Sequence, residues 1–265
     1  MFETHANHCA DDVSELDNRA LATTGVGAAA ARRDNALLAA LPVADWALWQ
    51  AAAETVEVRA GQVLCESGSA AAYVYFPATA IVSLLHLTED GGSVEVAAIG
   101  HEGLVGYTVF MGGHAAASQA VVQSAGRAIR VPARVVRTSF EAGGAVALLL
   151  MRHTQALIAE IGQTAACNRH HSLGRQLCRC LLHNLDRAAG NELVMTHELI
   201  ARLLGVRREG VTAGALKLQQ DGLIRYARGR IAVLDRSGLE KRSCECYGLI
   251  RSEYQRLLPQ APRFS

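Results

Sequence analysis

The chain has no uninterrupted apolar run of roughly 18 residues, and its N-terminus lacks a charged-then-apolar secretory signal. These absences predict a cytoplasmic protein without a membrane partner. Spaced Cys-x-x-Cys pairs are also missing. The seven cysteines (Cys9, Cys65, Cys167, Cys178, Cys180, Cys244 and Cys246) are odd in number. A secreted disulfide framework and a zinc ribbon are therefore not indicated. The closest pairs are Cys178-Arg179-Cys180 and Cys244-Glu245-Cys246. Helical positions two apart diverge, so the expectation is reduced, packed thiols and no metal site. No His-x-His pair occurs in residues 56–135. A metal oxygenase on a small β-barrel, needing two histidines and a carboxylate, is thus a remote alternative, and no catalytic residue is expected.

What is present begins with size and charge. Half of the 265 residues are apolar, enough for about two domains with sizeable cores. The net charge of +1 conceals a split. Residues 1–171 hold 10 Lys+Arg and 16 Asp+Glu, whereas residues 172–265 hold 16 and 9, giving −6 and +7. The basic half also holds the most informative stretch, Thr196 to Lys217. Thr196 is a good N-cap, Glu198 suits the positive helix end, and Leu199, Ile200, Leu203 and Leu204 make one apolar face. Gly205 supplies the left-handed stop. A second helix starts near Arg207, burying Val211, Ala215 and Leu218 and offering Arg207, Arg208, Glu209 and Thr212 outward. Two short helices joined by a glycine turn, with arginines opening the second, describe a helix-turn-helix that enters a DNA major groove. Asp221 to Ile224 then reads as a turn into a strand, Arg225 to Arg230 sets a turn glycine among Arg225, Arg228 and Arg230, and Ile231 to Leu234 reads as the returning strand of a basic β-hairpin. A hairpin in that position makes a winged helix.

Upstream, residues 1–33 read as a flexible leader, acidic and then rich in alanine and glycine. Residues 34–54 suggest short amphipathic helices packed through Leu37, Leu38, Leu41, Trp46, Leu48 and Trp49. From Val56 to Val131, seven short apolar runs separated by glycine-bearing turns indicate a small barrel or sandwich. Helical character returns after Gly144. Leu150, Thr154, Leu157, Ile161, Thr164 and Asn168 recur at alternating spacings of four and three, the stripe of a two-stranded coiled coil. Leu148, Leu149 and Met151 are then left to meet the barrel. A further helix over 173–189 points Leu173, Leu177, Leu181 and Leu182 into the basic domain.

The order of these parts resembles the Crp/Fnr family of bacterial transcription regulators over residues 34–258. Arg59 to Gly68, Tyr75-Phe76-Pro77, Asp90-Gly91-Gly92 and Gly100-His101-Glu102-Gly103 are similar to the family's β-roll turns. Cys167 to Ser172 and Cys244 to Tyr247 look like a divergent subgroup. The resemblance implies an α+β chain: a β-roll of the double-stranded β-helix (jelly-roll) type over 34–144, a dimerisation helix over 145–171, and a winged helix-turn-helix over 172–265. It also implies a homodimer on a palindromic duplex, with RNA polymerase as a further partner. Cyclic-AMP readers of the family place a ribose-holding glutamate after a glycine and, about ten residues on, an arginine on the phosphate. Here Gly106 is followed by Tyr107, and the later stretch runs to Ser118 and Gln119 without arginine. A phosphate lacking a cation is costly to bury. These four residues mark the expected pocket of an unidentified effector other than ordinary cyclic AMP. The iron–sulfur branch needs an N-terminal cysteine cluster, and only Cys9 lies there; no single histidine among His86, His101 and His114 indicates haem. On DNA, the resemblance puts Arg208 on a guanine edge and Glu209 on a cytosine amine, with Thr196, Arg228 and Arg230 on phosphates and Arg207 on phosphate or base. A constitutive DNA-binding protein with a merely structural roll is the alternative.

Overall fold

The computed structural model describes residues 32–258 apart from 90, 114 and 189. Most of the expected leader, with Cys9, Asp90 and His114, lies outside the described residues. The seven expected runs are all strands: β1 (Glu54–Val58), β2 (Val63–Cys65), β3 (Tyr73–Pro77), β4 (Ile81–Leu87), β5 (Ser93–Ile99), β6 (Gln119–Ser124) and β7 (Gly126–Pro132). They form two antiparallel sheets, β1-β7-β3 and β2-β6-β4-β5. Because strand side chains alternate faces, Val56 and Val58 of β1 and Val82 and Leu84 of β4 share one core with Ile99 and Val122.

Arg32–Asp34 is a 3-10 turn, and the Arg32 Nε donates to the Leu38 carbonyl at 3.0 Å. Asn35 caps α1 (Ala36–Ala40) by accepting from the Leu37 and Leu38 amides, and its Nδ2 donates to the Pro77 and Gly103 carbonyls, each at 2.9 Å. In α2 (Val43–Gln50), Trp46 and Trp49 fix the buried face. Leu48 lies opposite them and is 70% exposed, so it does not pack as expected. An unexpected helix, α3 (Ala133–Glu141), opens after Pro132, whose missing N–H is harmless at a helix start.

The long helix α4 (Gly144–His170) has the length and apolar content of a membrane span, with mean hydropathy 1.2, but half of that window is buried against its own chain. That burial corrects the expected dimer stripe. Leu150 packs with the tryptophan cluster, Leu157 packs inside the roll, and Thr154 and Thr164 are buried; Ile161 and Asn168 are half-buried. These positions are already covered by the roll and by the C-terminal helix α9 (Glu245–Leu257), which runs back along α4. The face left open carries Leu148, Met151, Gln155, Ile158, Gly162 and Ala165, again spaced three and four apart. Leu148 and Met151 thus face outward instead of meeting the barrel; only Leu149 turns inward.

The second domain starts with α5 (Leu173–Arg187), whose Leu177, Leu181 and Leu182 are buried as expected. An unexpected strand β8 (Glu192–Val194) follows, then α6 (His197–Leu204), α7 (Arg208–Gln220), β9 (Ile224–Ala227), β10 (Arg230–Val233) and α8 (Arg236–Arg242). The β8-β10-β9 sheet is antiparallel.

Candidate nucleic-acid interface

The helix-turn-helix forms for the local reasons its sequence contains. The Leu199 amide donates to Thr196 Oγ1 at 3.1 Å, satisfying one orphan donor of α6. Gly205 ends that helix at φ +64°, and Arg207 caps α7 by backbone alone. Val211, Ala215 and Leu218 are buried, and this leaves Arg207, Arg208 and Glu209 exposed at the helix start. The recognition helix sits close on α5 because Gly210 faces Leu173 and Gly214 faces Leu177. A Cβ at Gly210 would lie 2.8 Å from Leu173 Cδ2.

One histidine, passed over by the sequence reading, ties the surface together. His197 Nδ1 lies 3.1 Å from Thr212 Oγ1, and the Thr212 hydroxyl also meets the Arg208 carbonyl at 3.1 Å. The His197 ring stacks on Tyr226 of the wing with centroids 4.0 Å apart. Burial, joined by the Arg208 charge, lowers its pKa and favours the neutral ring. Thr212 is therefore a link between the helices, and its hydroxyl is engaged within the protein. The wing turn holds Arg228 and Gly229 at φ +48° and +77°, as a two-residue type I′ hairpin turn requires. Gly229 comes close enough to Thr196 that an added Cβ would lie 3.3 Å from its methyl group. The start of α6, the start of α7 and the wing tip thus form one surface carrying Thr196, Arg207, Arg208, Glu209, Arg228 and Arg230. Arg230 is exposed and 3.7 Å from Glu192, a pair worth little in water.

The expected effector residues each have partners within the roll. Gly106 and Tyr107 pack at β3, where a Cβ on Gly106 would meet the Tyr73 carbonyl at 3.2 Å. Ser118 Oγ lies 3.3 Å from His86 Nε2, and Gln119 donates to Glu66 at 2.7 Å. The described cavities, of about 860, 160 and 20 Å³, are lined by none of these four. The largest lies at the junction of the two domains, between His101-Glu102 of the roll, the end of α5, and α8 and α9. Arg187 stands at its wall. The guanidinium donates to Glu102 at 2.7 Å, to Glu160 of α4 at 3.4 Å and to the His183 carbonyl at 3.1 Å. The Tyr254 hydroxyl donates to the same Glu160 carboxylate at 2.6 Å. Burial, the largest single influence, would raise the Glu102 pKa, but the Arg187 and His101 charges together with hydrogen bonds outweigh it and hold the carboxyl below its usual range. The helix-turn-helix also rests on the roll: Leu85 shares a core with Leu203 and Leu204, and the Gly205 turn abuts Val94.

Comparison with known proteins matches both domains. Residues 55–142 match the cyclic nucleotide-binding domain model, and residues 175–242 match the Crp-like helix-turn-helix domain model. This chain belongs to the Crp/Fnr family. It is a DNA-binding transcription regulator of that type, with a cyclic-nucleotide-binding-like domain. Solved Crp/Fnr-type structures share the fold. A putative Crp/Fnr regulator from Eubacterium rectale has TM-score 0.61 at 19% identity, covering 79% of this chain and 98% of that one. FixK2 from Bradyrhizobium japonicum has TM-score 0.62 at 18% identity, covering 72% and 98%. The c-di-GMP responsive regulator CLP from Xanthomonas campestris has TM-score 0.58 at 15% identity, covering 72% and 99%. No curated protein sequence matches the chain.

Proposed function

We propose that this regulator acts in the cytoplasm as a homodimer on a palindromic duplex, in concert with RNA polymerase and without enzymatic activity. The observation that carries the reading is the exposed Arg207-Arg208-Glu209 start of α7, held by Gly210 against α5 and flanked by Thr196 and the Arg228 and Arg230 wing. Arg208 reads a guanine and Glu209 a cytosine; Arg207 contacts phosphate or base, and the others hold phosphates. The sensor spans residues 34–144, the dimerisation helix 145–171 and the DNA-binding domain 172–265, with a leader over 1–33. The open α4 face of Leu148, Met151, Ile158, Gly162 and Ala165 is the dimer seam, its small residues allowing close approach.

The effector is a molecule other than ordinary cyclic AMP. CLP is described as c-di-GMP responsive, so a cyclic dinucleotide belongs in the first test. In vitro selection of duplexes by the purified protein, with and without cyclic mono- and dinucleotides, tests the whole reading. A palindromic consensus whose enrichment changes with one ligand supports it; no enrichment of any duplex overturns it. A constitutive regulator with a structural roll is the second reading, favoured by the filled surroundings of Tyr107 and Ser118. A ligand-dependent rise in Tm rejects that alternative.

A further inference from the structure

Three cysteines and one histidine, far apart in sequence, meet where the long helix ends. Cys167 lies in the last turn of α4 and His171 caps that helix. Cys244 is the N-cap of α9, and Cys246 is in its first turn. The reason given against joint ligation, that helical positions two apart diverge, fails here because Cys244 stands outside the helix with an extended backbone. The four potential ligand atoms all lie within 4.8 Å of one another. Cys167 Sγ is 3.5 Å from Cys244 Sγ, and Cys246 Sγ is 3.4 Å from His171 Nδ1. We propose that Cys167, His171, Cys244 and Cys246 form a tetrahedral Zn²⁺ site.

Four ligands at zinc–sulfur bonds of about 2.3 Å stand roughly 3.8 Å apart around one ion, close to the spacing found here. Ligand atoms this near surround a single ion and not a multi-iron cluster, whose irons each take their own ligand. Three sulfurs and one imidazole are a soft set that suits zinc, and four protein ligands leave no open position, so the site is structural. The surroundings fit the same chemistry. His171 Nε2 lies 3.3 Å from Glu245 Oε1, leaving Nδ1 turned towards the sulfurs, as a carboxylate behind a ligating histidine does. Gln163 Nε2 donates to Cys246 Sγ at 3.1 Å. Buried Arg179 donates to Thr164 Oγ1 at 3.2 Å, one turn before Cys167. Zn²⁺ with three thiolates and a neutral imidazole carries one net negative charge, which that guanidinium complements. Binding releases three thiol protons to solvent and changes no oxidation state.

The site spans the hinge at His171-Ser172 between the long helix and the DNA-binding domain. Its ion ties the end of α4 to the start of α9, and so fixes the angle at which the recognition helix is presented.

The test uses the full chain purified under reducing conditions. One zinc per chain is expected by elemental analysis, with X-ray absorption reporting three sulfurs and one nitrogen. Cys244→Ser and Cys246→Ser lose the zinc, whereas Cys65→Ser, in the roll, keeps it. Glu245→Gln retains all four ligands and weakens zinc affinity about tenfold. The absorption measurement needs only the wild-type protein, so misfolding of a cysteine variant does not remove the test. Wild-type protein that takes up neither zinc nor cobalt stoichiometrically overturns the proposal. So does a different ligand set, or a Cys167–Cys244 disulfide in protein kept free of oxidant.

Discussion

Replacing Arg187 with methionine tests how the two domains are held together. The substitution keeps a long apolar stem and deletes a cation that is almost wholly buried between Glu102 of the roll and Glu160 of the long helix. It leaves two carboxylates facing each other near the junction cavity, with Tyr254 still donating to one of them. Breaking a buried ion pair from one side costs about 3–5 kcal/mol, because the remaining charge is left uncompensated. That is a large share of the ~5–15 kcal/mol typical of a folded protein. Both tryptophans, Trp46 and Trp49, report on the cluster they form with Phe76 and Ile129 of the roll, against which Tyr254 and Leu257 of the C-terminal helix also pack. Urea unfolding followed by tryptophan fluorescence and by far-ultraviolet circular dichroism should coincide in the wild type. In Arg187→Met the two transitions should separate, with the helical signal lost first. The triple change Arg187→Met, Glu102→Gln, Glu160→Gln should recover much of the loss, since no unpaired charge remains. A single variant that unfolds in one transition within about 1 kcal/mol of the wild type would refute the junction argument.

Protonation gives a second test. Burial lowers the pKa of His153 from 6.5 to about 4. The unfolded chain thus binds the extra proton first, and stability present above pH 6.5 is lost as pH falls towards 4. From pH 7.5 to pH 5 the loss is about 2 kcal/mol, and His153→Gln should flatten that slope in urea titrations. On the long helix, Ile158 is 56% exposed, so Ile158→Glu with Met151→Glu should yield a folded monomer in sedimentation, whereas Leu157→Glu, which buries a carboxylate in the roll, should unfold the protein. A dimeric Ile158/Met151 variant sinks the proposed seam. On DNA, Arg208→Ala should cost about 1–3 kcal/mol on the selected operator and relax one symmetric pair of positions. Arg230→Ala should instead weaken every duplex alike and lower the salt slope by about one unit. Equal weakening of operator and scrambled duplex by Arg208→Ala would make Arg208 a phosphate ligand.

The sequence by itself determined what depends on near neighbours along the chain. The Thr196 cap, the Gly205 stop, the buried Val211-Ala215-Leu218 face and the seven roll strands are local. They follow from capping geometry, the conformational freedom of glycine and the two hydrophobic periods. Strand β8 escaped because three residues carry too short a period, whereas α3 does carry a helical signal, with Ala133, Val136 and Phe140 spaced for one face after Pro132. The tertiary structure alone decided which side of α4 is inside. Both Leu150-Thr154-Leu157-Ile161 and Leu148-Met151-Gln155-Ile158 obey the same three-and-four spacing, so periodicity cannot choose between them. The roll and the returning α9 cover the first and leave the second open. Tertiary structure likewise gathered Cys167 with Cys244 across 77 positions, and Glu102 with Arg187 across 85. A helix carries its period in its own residues, but its neighbours are set by the path of the whole chain.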